Sequence, residues 1–133
     1  MKRILYLSGI IVLFTSCQLN DSSTVTSLEN HEIELKFGEQ VFIQEKGLTV
    51  LFSDLIEESR CPESVMCAWA GNAEVAIQIN SDDIRLNSYK DPNKVSISGY
   101  EIELISVTPY PKDTGGIQKE EYVVKLMVSK KSS

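Results

Sequence analysis

The sequence predicts an all-β fold, a small antiparallel β-sandwich or open barrel of seven to eight strands. From residue 31 onward, apolar and polar residues alternate with a period of two, which is typical of half-buried strands. Glycine, proline, asparagine and aspartate interrupt this alternation at short intervals, as turns do. No part of this region repeats its apolar residues with the period of a helix. A domain over residues 31–130 is long enough to bury one small core.

Three predicted strands precede the cysteines of the domain, at 32–37, 41–43 and 48–52. The first alternates polar with apolar residues, and the other two are short runs of β-branched and aromatic residues. Gly38 and Gly47 lie in the turns between them. Leu55 and Ile56 extend the third pattern, so this strand is predicted to run on toward Arg60.

Five further strands are predicted after the cysteines, at 73–79, 84–87, 94–97, 100–107 and 121–128. Residues 80–83 are a predicted turn, and Ser98-Gly99 is a hairpin signal. Residues 109–116 combine prolines, glycines and charged residues and are predicted to form a longer exposed loop.

The N-terminus has the pattern of an export signal. Lys2 and Arg3 precede an apolar run at 4–14, which is too short to span a bilayer because spanning needs about 20 residues. Small residues and then Cys17 follow. The sequence therefore predicts a signal peptide over 1–16 that is removed on export.

Leu13-Phe14-Thr15-Ser16-Cys17 resembles the lipobox of bacterial lipoproteins, although Phe14 stands where leucine is usual. The resemblance implies cleavage before Cys17 and several acyl chains on that cysteine, which together give a stable anchor where a single chain would not. The alternative is an ordinary secretory signal that leaves Cys17 as a spare thiol.

Residues 17–30 comprise the lipidated cysteine and a segment rich in serine, threonine and asparagine, which is predicted to be a flexible tether. An aspartate directly after the lipidated cysteine would resemble an inner-membrane retention signal, but this position is occupied by Gln18. The predicted location is therefore the bacterial cell envelope, lipid-anchored in the outer membrane.

The charge of the chain limits its partners. The formal net charge is −6, and removal of Lys2 and Arg3 with the signal peptide makes it more negative. Without a basic cluster beyond Lys130-Lys131, binding to nucleic-acid phosphates is not expected. Because anionic headgroups repel an acidic protein, lipid on Cys17 is predicted to be its membrane contact.

The chain has three cysteines, and lipidation of Cys17 leaves Cys61 and Cys67 to pair in an oxidising compartment. Closing so short a loop stabilises by about 2 kcal/mol, so the main predicted effect is a fixed local shape. His31 is the only histidine, whereas structural zinc needs four Cys or His ligands. Neither a metal nor another cofactor is expected.

A motif surrounds these two cysteines: Ser59-Arg60-Cys61-Pro62, Val65, Cys67, Trp69-Ala70-Gly71-Asn72-Ala73 and Val75. It resembles a motif of small exported bacterial proteins and lipoproteins of unknown function. The resemblance implies a Cys61–Cys67 disulfide and an all-β domain, and it implies no activity.

The predicted binding surface is the loop 60–72, with six candidate contact residues: Arg60, Pro62, Val65, Met66, Trp69 and Asn72. Trp69 is interpreted either as a core residue under the loop or as an exposed aromatic platform for a glycan ring or a partner protein. Arg60 follows Asp54, Glu57 and Glu58. It forms either a structural ion pair or a bidentate site for an external carboxylate or phosphate.

Catalysis has little support, because His31 lies near the start of the domain and the carboxylates around the loop are expected to be solvated. The protein is therefore predicted not to be an enzyme. It is predicted to be a noncatalytic envelope lipoprotein that binds an envelope protein or a glycan through loop 60–72 and through 109–116.

The alternative function is an inhibitor of an envelope or secreted hydrolase that uses the disulfide-constrained loop as a rigid insert. An apolar, water-exposed loop around Val65-Met66 would favour these two functions. A deep pocket that gathers Arg60 with two carboxylates would instead favour an enzyme.

Overall fold

A computed structural model describes residues 30–132. The predicted signal peptide, Cys17 and all but the last residue of the predicted tether lie outside this range. Nowhere within it does a helix reach the length and hydrophobicity needed to cross a membrane.

The described chain forms eight strands and two short 3-10 helices, Gln44–Lys46 and Lys119–Glu121. The strands are β1 (Asn30–Lys36), β2 (Gln40–Ile43), β3 (Leu48–Glu58), β4 (Ala73–Ile79), β5 (Asp82–Asn87), β6 (Lys94–Ile97), β7 (Tyr100–Thr108) and β8 (Val123–Lys130).

These strands make two antiparallel four-stranded sheets, with the orders β1-β8-β7-β6 and β2-β3-β4-β5. The predicted all-β fold is confirmed. The two sheets do not join into a closed barrel, and their arrangement is consistent with the predicted β-sandwich.

The core lies between the sheets and is built by the alternation seen in the sequence. In β4, the side chains of Ala73, Val75, Ile77 and Ile79 are fully buried while those between them are half-buried. Apolar residues of β1, β7 and β8 cover them from the other sheet.

Several strand boundaries differ from the prediction by one or two residues, and two of these differences have a local cause. The last strand begins at Val123 instead of residue 121, because Glu121 closes the 3-10 helix by accepting a 3.0 Å hydrogen bond from the backbone N–H of Gln118. The turn after β4 is shorter than 80–83. Asn80 has a positive φ of 54° and accepts a hydrogen bond from Thr49, which allows β5 to begin at Asp82.

Two irregularities in β3 decide which of its side chains face the core. The register with β4 shifts between Phe52 and Asp54 and again between Leu55 and Glu57. Each shift adds a residue to β3, as a β-bulge does. Phe52 and Leu55 are therefore buried, and Glu58 occupies the next inward-facing position.

The two ends of the sandwich have different roles. The chain enters at Asn30, and β1 ends at Lys36, which pairs with Val123. Beside Val123, the hydroxyl of Tyr122 donates a hydrogen bond to Glu58 at the end of β3. We call the end that contains Glu58 and Tyr122 the loop end, and the end that contains Asn30 the N-terminal end.

Candidate functional site

The connection between β3 and β4 carries the candidate site at the loop end. Cys61 and Cys67 are joined by a disulfide, with 2.12 Å between the sulfur atoms and 5.9 Å between the Cα atoms. The predicted pairing of these two cysteines is confirmed. The bridge closes a small ring of the chain between them.

Backbone pairing continues from the strands into the loop. The N–H of Ser59 donates to the carbonyl of Asn72 at 2.8 Å, and the N–H of Cys61 donates to that of Ala70 at 2.9 Å. Between these pairs lies Gly71, with a φ of +72°. A Cβ on Gly71 would lie 1.8 Å from the carbonyl oxygen of Ser59, so no other residue fits without a shift of the backbone.

Asn72 is buried and fastens the loop to neighbouring segments. Its side-chain Nδ2 donates to Oδ1 of Asn87 at 2.8 Å, and its Oδ1 accepts from the backbone N–H of Tyr89 at 3.1 Å. Asn87 in turn donates to the carbonyl of Pro92. Asn72 therefore positions the loop, and its buried amide is not placed to contact a partner.

Arg60 is also buried, at 9% exposure, and bridges the two sheets. Its Nε donates at 2.8 Å to Glu58, whose second carboxylate oxygen accepts from Nη2. Nη1 donates to the carbonyl of Val107 at 2.6 Å, and Nη2 donates to that of Pro109 at 3.0 Å. The guanidinium group also lies 5.0 Å from the ring centre of Tyr110.

These contacts agree with the structural interpretation of Arg60 and identify Glu58 as its partner. Four hydrogen bonds to groups of the same chain leave little of the guanidinium for an external anion. We call Ser59, Arg60, Gly71 and Asn72 the base of the loop.

Burial and hydrogen bonding set the charge states around Arg60. Burial raises the pKa of Glu58, but hydrogen bonds from Arg60 and Tyr122 outweigh this effect, so the pKa is lower than usual. Burial and the hydrogen bond to Glu58 raise the pKa of Tyr122 to about 12. At neutral pH, Glu58 is thus ionised and Tyr122 is neutral, and neither is matched to proton transfer at that pH.

The structure brings the two predicted loops together. The backbone N–H groups of Glu63 and Ser64 donate to the carbonyls of Pro111 and Lys112, at 3.1 and 3.0 Å. The hydroxyl of Tyr110 donates to the carbonyl of Cys61 at 2.7 Å. The disulfide ring is therefore held by its own bridge and by the loop that follows β7.

Three apolar side chains of the disulfide loop are exposed to water. Met66 is 100% exposed, Trp69 is 81% exposed and Val65 is 40% exposed. We call these three residues the tip. The interpretation of Trp69 as a core residue is wrong, because Tyr122 and the Glu58–Arg60 pair close the core at this end.

A hollow of about 150 Å³ lies between the two loops. Glu58, Arg60 and Asp113 are among its lining residues, and the half-buried Pro62 lies at its edge. It thus gathers Arg60 with two carboxylates, but the hollow is small and open to solvent. Glu58 is already bound to Arg60, and Asp113 accepts a hydrogen bond from the backbone N–H of Gly115.

The buried polar side chains of the described residues have hydrogen-bond partners within the chain. Between residues 30 and 132, no buried side-chain nitrogen or oxygen lacks a hydrogen-bond partner. In the same range, no three histidine, cysteine or acidic residues are grouped so that they could hold a metal ion.

Sequence reasoning missed the roles of Tyr110 and Tyr122, which reach the loop from distant parts of the chain. For Tyr122 a signal exists, since it lies two residues before Val124 and four before Leu126, both core positions of β8. Tyr110 lies in a loop without a period, so its contact with Cys61 has no sequence signal.

Comparison of the chain with protein-family models, with curated proteins and with solved structures gives no match. The resemblance of the Arg-Cys-Pro motif to exported proteins of unknown function thus stays a prediction.

Proposed function

We propose that this protein is a noncatalytic binding module of the bacterial cell envelope, held at the membrane by lipid on Cys17. One observation carries the proposal: the tip exposes Val65, Met66 and Trp69 on a loop that is held at its base by buried, hydrogen-bonded side chains. Exposed apolar residues that a rigid loop holds in place favour association, because little chain entropy is lost on binding.

The tip also has the chemistry of a contact surface. Tryptophan and methionine are enriched in interfaces, where they bury large apolar areas. Of the six predicted contact residues, Val65, Met66 and Trp69 are therefore the proposed contacts, and Pro62 lies at the edge of the neighbouring hollow. Arg60 and Asn72 are proposed to hold the loop without touching the partner.

The test is affinity capture of the full-length protein after chemical crosslinking in cells. Serine replaces Trp69 in one variant and Met66 in another, and Phe42→Ser is the matched control because Phe42 is 58% exposed on β2. We expect the two tip variants to lose partners that the wild type and Phe42→Ser retain. Equal recovery of every partner by all four proteins would exclude the tip as the binding site.

Inhibition of an envelope or secreted hydrolase is the second candidate. The loop has the rigidity that an inhibitory insert needs, since a disulfide and two backbone hydrogen bonds to Pro111 and Lys112 hold it. Titration of secreted peptidase, glycosidase and lipase activities with the purified protein tests this candidate. Inhibition that Trp69→Ser abolishes would establish it, and activity unchanged by the wild type would exclude it for the enzymes assayed.

A further inference from the structure

The tip lies at the end of the sandwich opposite to the point where the chain enters it. β1 runs from Asn30 to Lys36, and its last residue pairs with Val123 at the loop end. Arg60, at the base of the loop, binds the carbonyl of Val107 at the same end. The seven residues of β1 thus separate Asn30 from the loop end by about 20 Å.

The chain outside the described residues limits how the domain can approach a bilayer. Residues 18–29 connect Cys17 to Asn30, and twelve residues span at most about 40 Å when fully extended. Lipid on Cys17 attaches this tether at the N-terminal end, so contact of the tip with the same bilayer would require the domain to invert within the reach of the tether. The full chain has a net charge of −6, and loss of Lys2 and Arg3 with the signal peptide makes the lipidated protein more negative. Repulsion of this charge from anionic headgroups disfavours inversion of the domain onto them.

The chemistry of the tip favours a protein over a sugar. Val65 and Met66 are aliphatic or thioether side chains, which offer no strong hydrogen bond to a sugar hydroxyl. Methionine adapts its shape to apolar protein surfaces, and Trp69 supplies a large rigid contact beside it.

We propose that the tip docks a protein partner on the side of the domain that faces away from the bilayer holding Cys17. This inference rests on the proposed function and adds the class of the partner and the side from which it binds. The bilayer surface is the competing occupant, and fluorescence distinguishes the two because Trp69 is the only tryptophan.

The first experiment places the lipidated protein in vesicles of phosphatidylethanolamine and phosphatidylglycerol, with or without bromine on the acyl chains. Bromine quenches tryptophan that enters the bilayer. We expect equal Trp69 emission in both vesicles. Strong quenching by the brominated lipid would overturn the orientation.

The positive control is Leu19→Trp combined with Trp69→Phe, which puts the tryptophan two residues from Cys17. We expect brominated lipid to quench this variant. If it is not quenched, the lipid anchor is absent and the inference fails with it.

The second experiment introduces the photocrosslinker benzoylphenylalanine at Met66 and, as a matched control, at Phe42, in full-length protein in cells. Phe42 is exposed and pairs with Thr49 near the start of β3, away from the loop end. We expect a protein adduct at position 66 that Trp69→Ser removes, and none at position 42. A lipid adduct at position 66, or the same protein adduct at both positions, would overturn the inference.

The two proposals fail in different ways. Strong quenching of Trp69 with loss of capture in Trp69→Ser would remove the orientation and leave the tip as a binding surface. Equal capture by the wild type and the tip variants would remove the binding surface itself.

Discussion

The base and the tip of the disulfide loop are only a few residues apart, and they differ in almost every physical property. In the base, Arg60 and Asn72 are buried, and their polar groups bond to both sheets. The tip is apolar, and its Trp69 and Met66 lie in water. Burial therefore separates the side chains that hold the loop from those that we propose contact a partner, although the sequence places both in one motif.

This contrast predicts that substitutions in the base change the free energy of unfolding, whereas substitutions in the tip change binding. The following experiments test it in order of decreasing effect on stability.

Gly71→Ala is expected to have the largest effect, about 4 kcal/mol, because strain at a positive φ adds to a backbone clash. The new Cβ would lie 1.8 Å from the carbonyl oxygen of Ser59. Gly47→Ala is the matched control, since Gly47 also has a positive φ but no atom within 4 Å. We expect it to cost about 1 kcal/mol in urea unfolding. Equal losses for the two variants would contradict the close approach at Gly71.

Arg60→Met is expected to cost about 3 kcal/mol, because it leaves the half-buried carboxylate of Glu58 without its cation. Lys90→Met removes the exposed ion pair with Glu57, at 3.4 Å, and is expected to cost about 0.5 kcal/mol or less. Urea unfolding at neutral pH measures both values. A small loss in Arg60→Met would mean that Arg60 does not hold the base.

Replacement of both Cys61 and Cys67 by alanine is expected to cost about 2 kcal/mol, the value for closure of a short loop. This loss is smaller than that expected for Arg60→Met, because backbone hydrogen bonds to Pro111 and Lys112 still hold the ring. Reductant should lower the unfolding midpoint of the wild type toward that of the double variant and leave the variant unchanged. A variant that responds to reductant would contradict this account.

Alkaline pH is expected to destabilise the base of the loop, because it ionises Tyr122. Its pKa is raised from 10.0 to about 12 in the folded protein, so this contribution is complete below pH 10 and is lost as pH rises through 12. Two pKa units correspond to an upper limit of about 3 kcal/mol, of which about half is lost by about pH 11. Tyr122→Phe should lack this part of the pH dependence, and Tyr89→Phe, at an exposed position, should retain it. The same slope in all three proteins would contradict the role of Tyr122.

Most of the fold could be predicted from the sequence, because the pattern that marks a strand is also the pattern that builds the core. β4 has the predicted bounds, and the continuation of β3 past Leu55 is confirmed. The disulfide was predictable because few cysteines are available to pair. The end of the 3-10 helix at Glu121 could not be predicted, since it depends on a local hydrogen bond that Glu121 accepts from the backbone N–H of Gln118.

The details of the site depend on distant contacts. The partner of Arg60 could not be chosen among Asp54, Glu57 and Glu58, because two bulges in β3 decide which carboxylate faces inward. The exposure of Trp69 likewise depends on Tyr122, which closes the core from a segment far along the chain.

The central claim is that the folded protein holds Trp69 in water, and acrylamide quenching of its fluorescence tests this most directly. Because Trp69 is the only tryptophan and is 81% exposed, we expect nearly the same quenching constant in the folded protein and in concentrated urea. A folded-state constant several-fold lower than that in urea would show a buried indole and contradict the account.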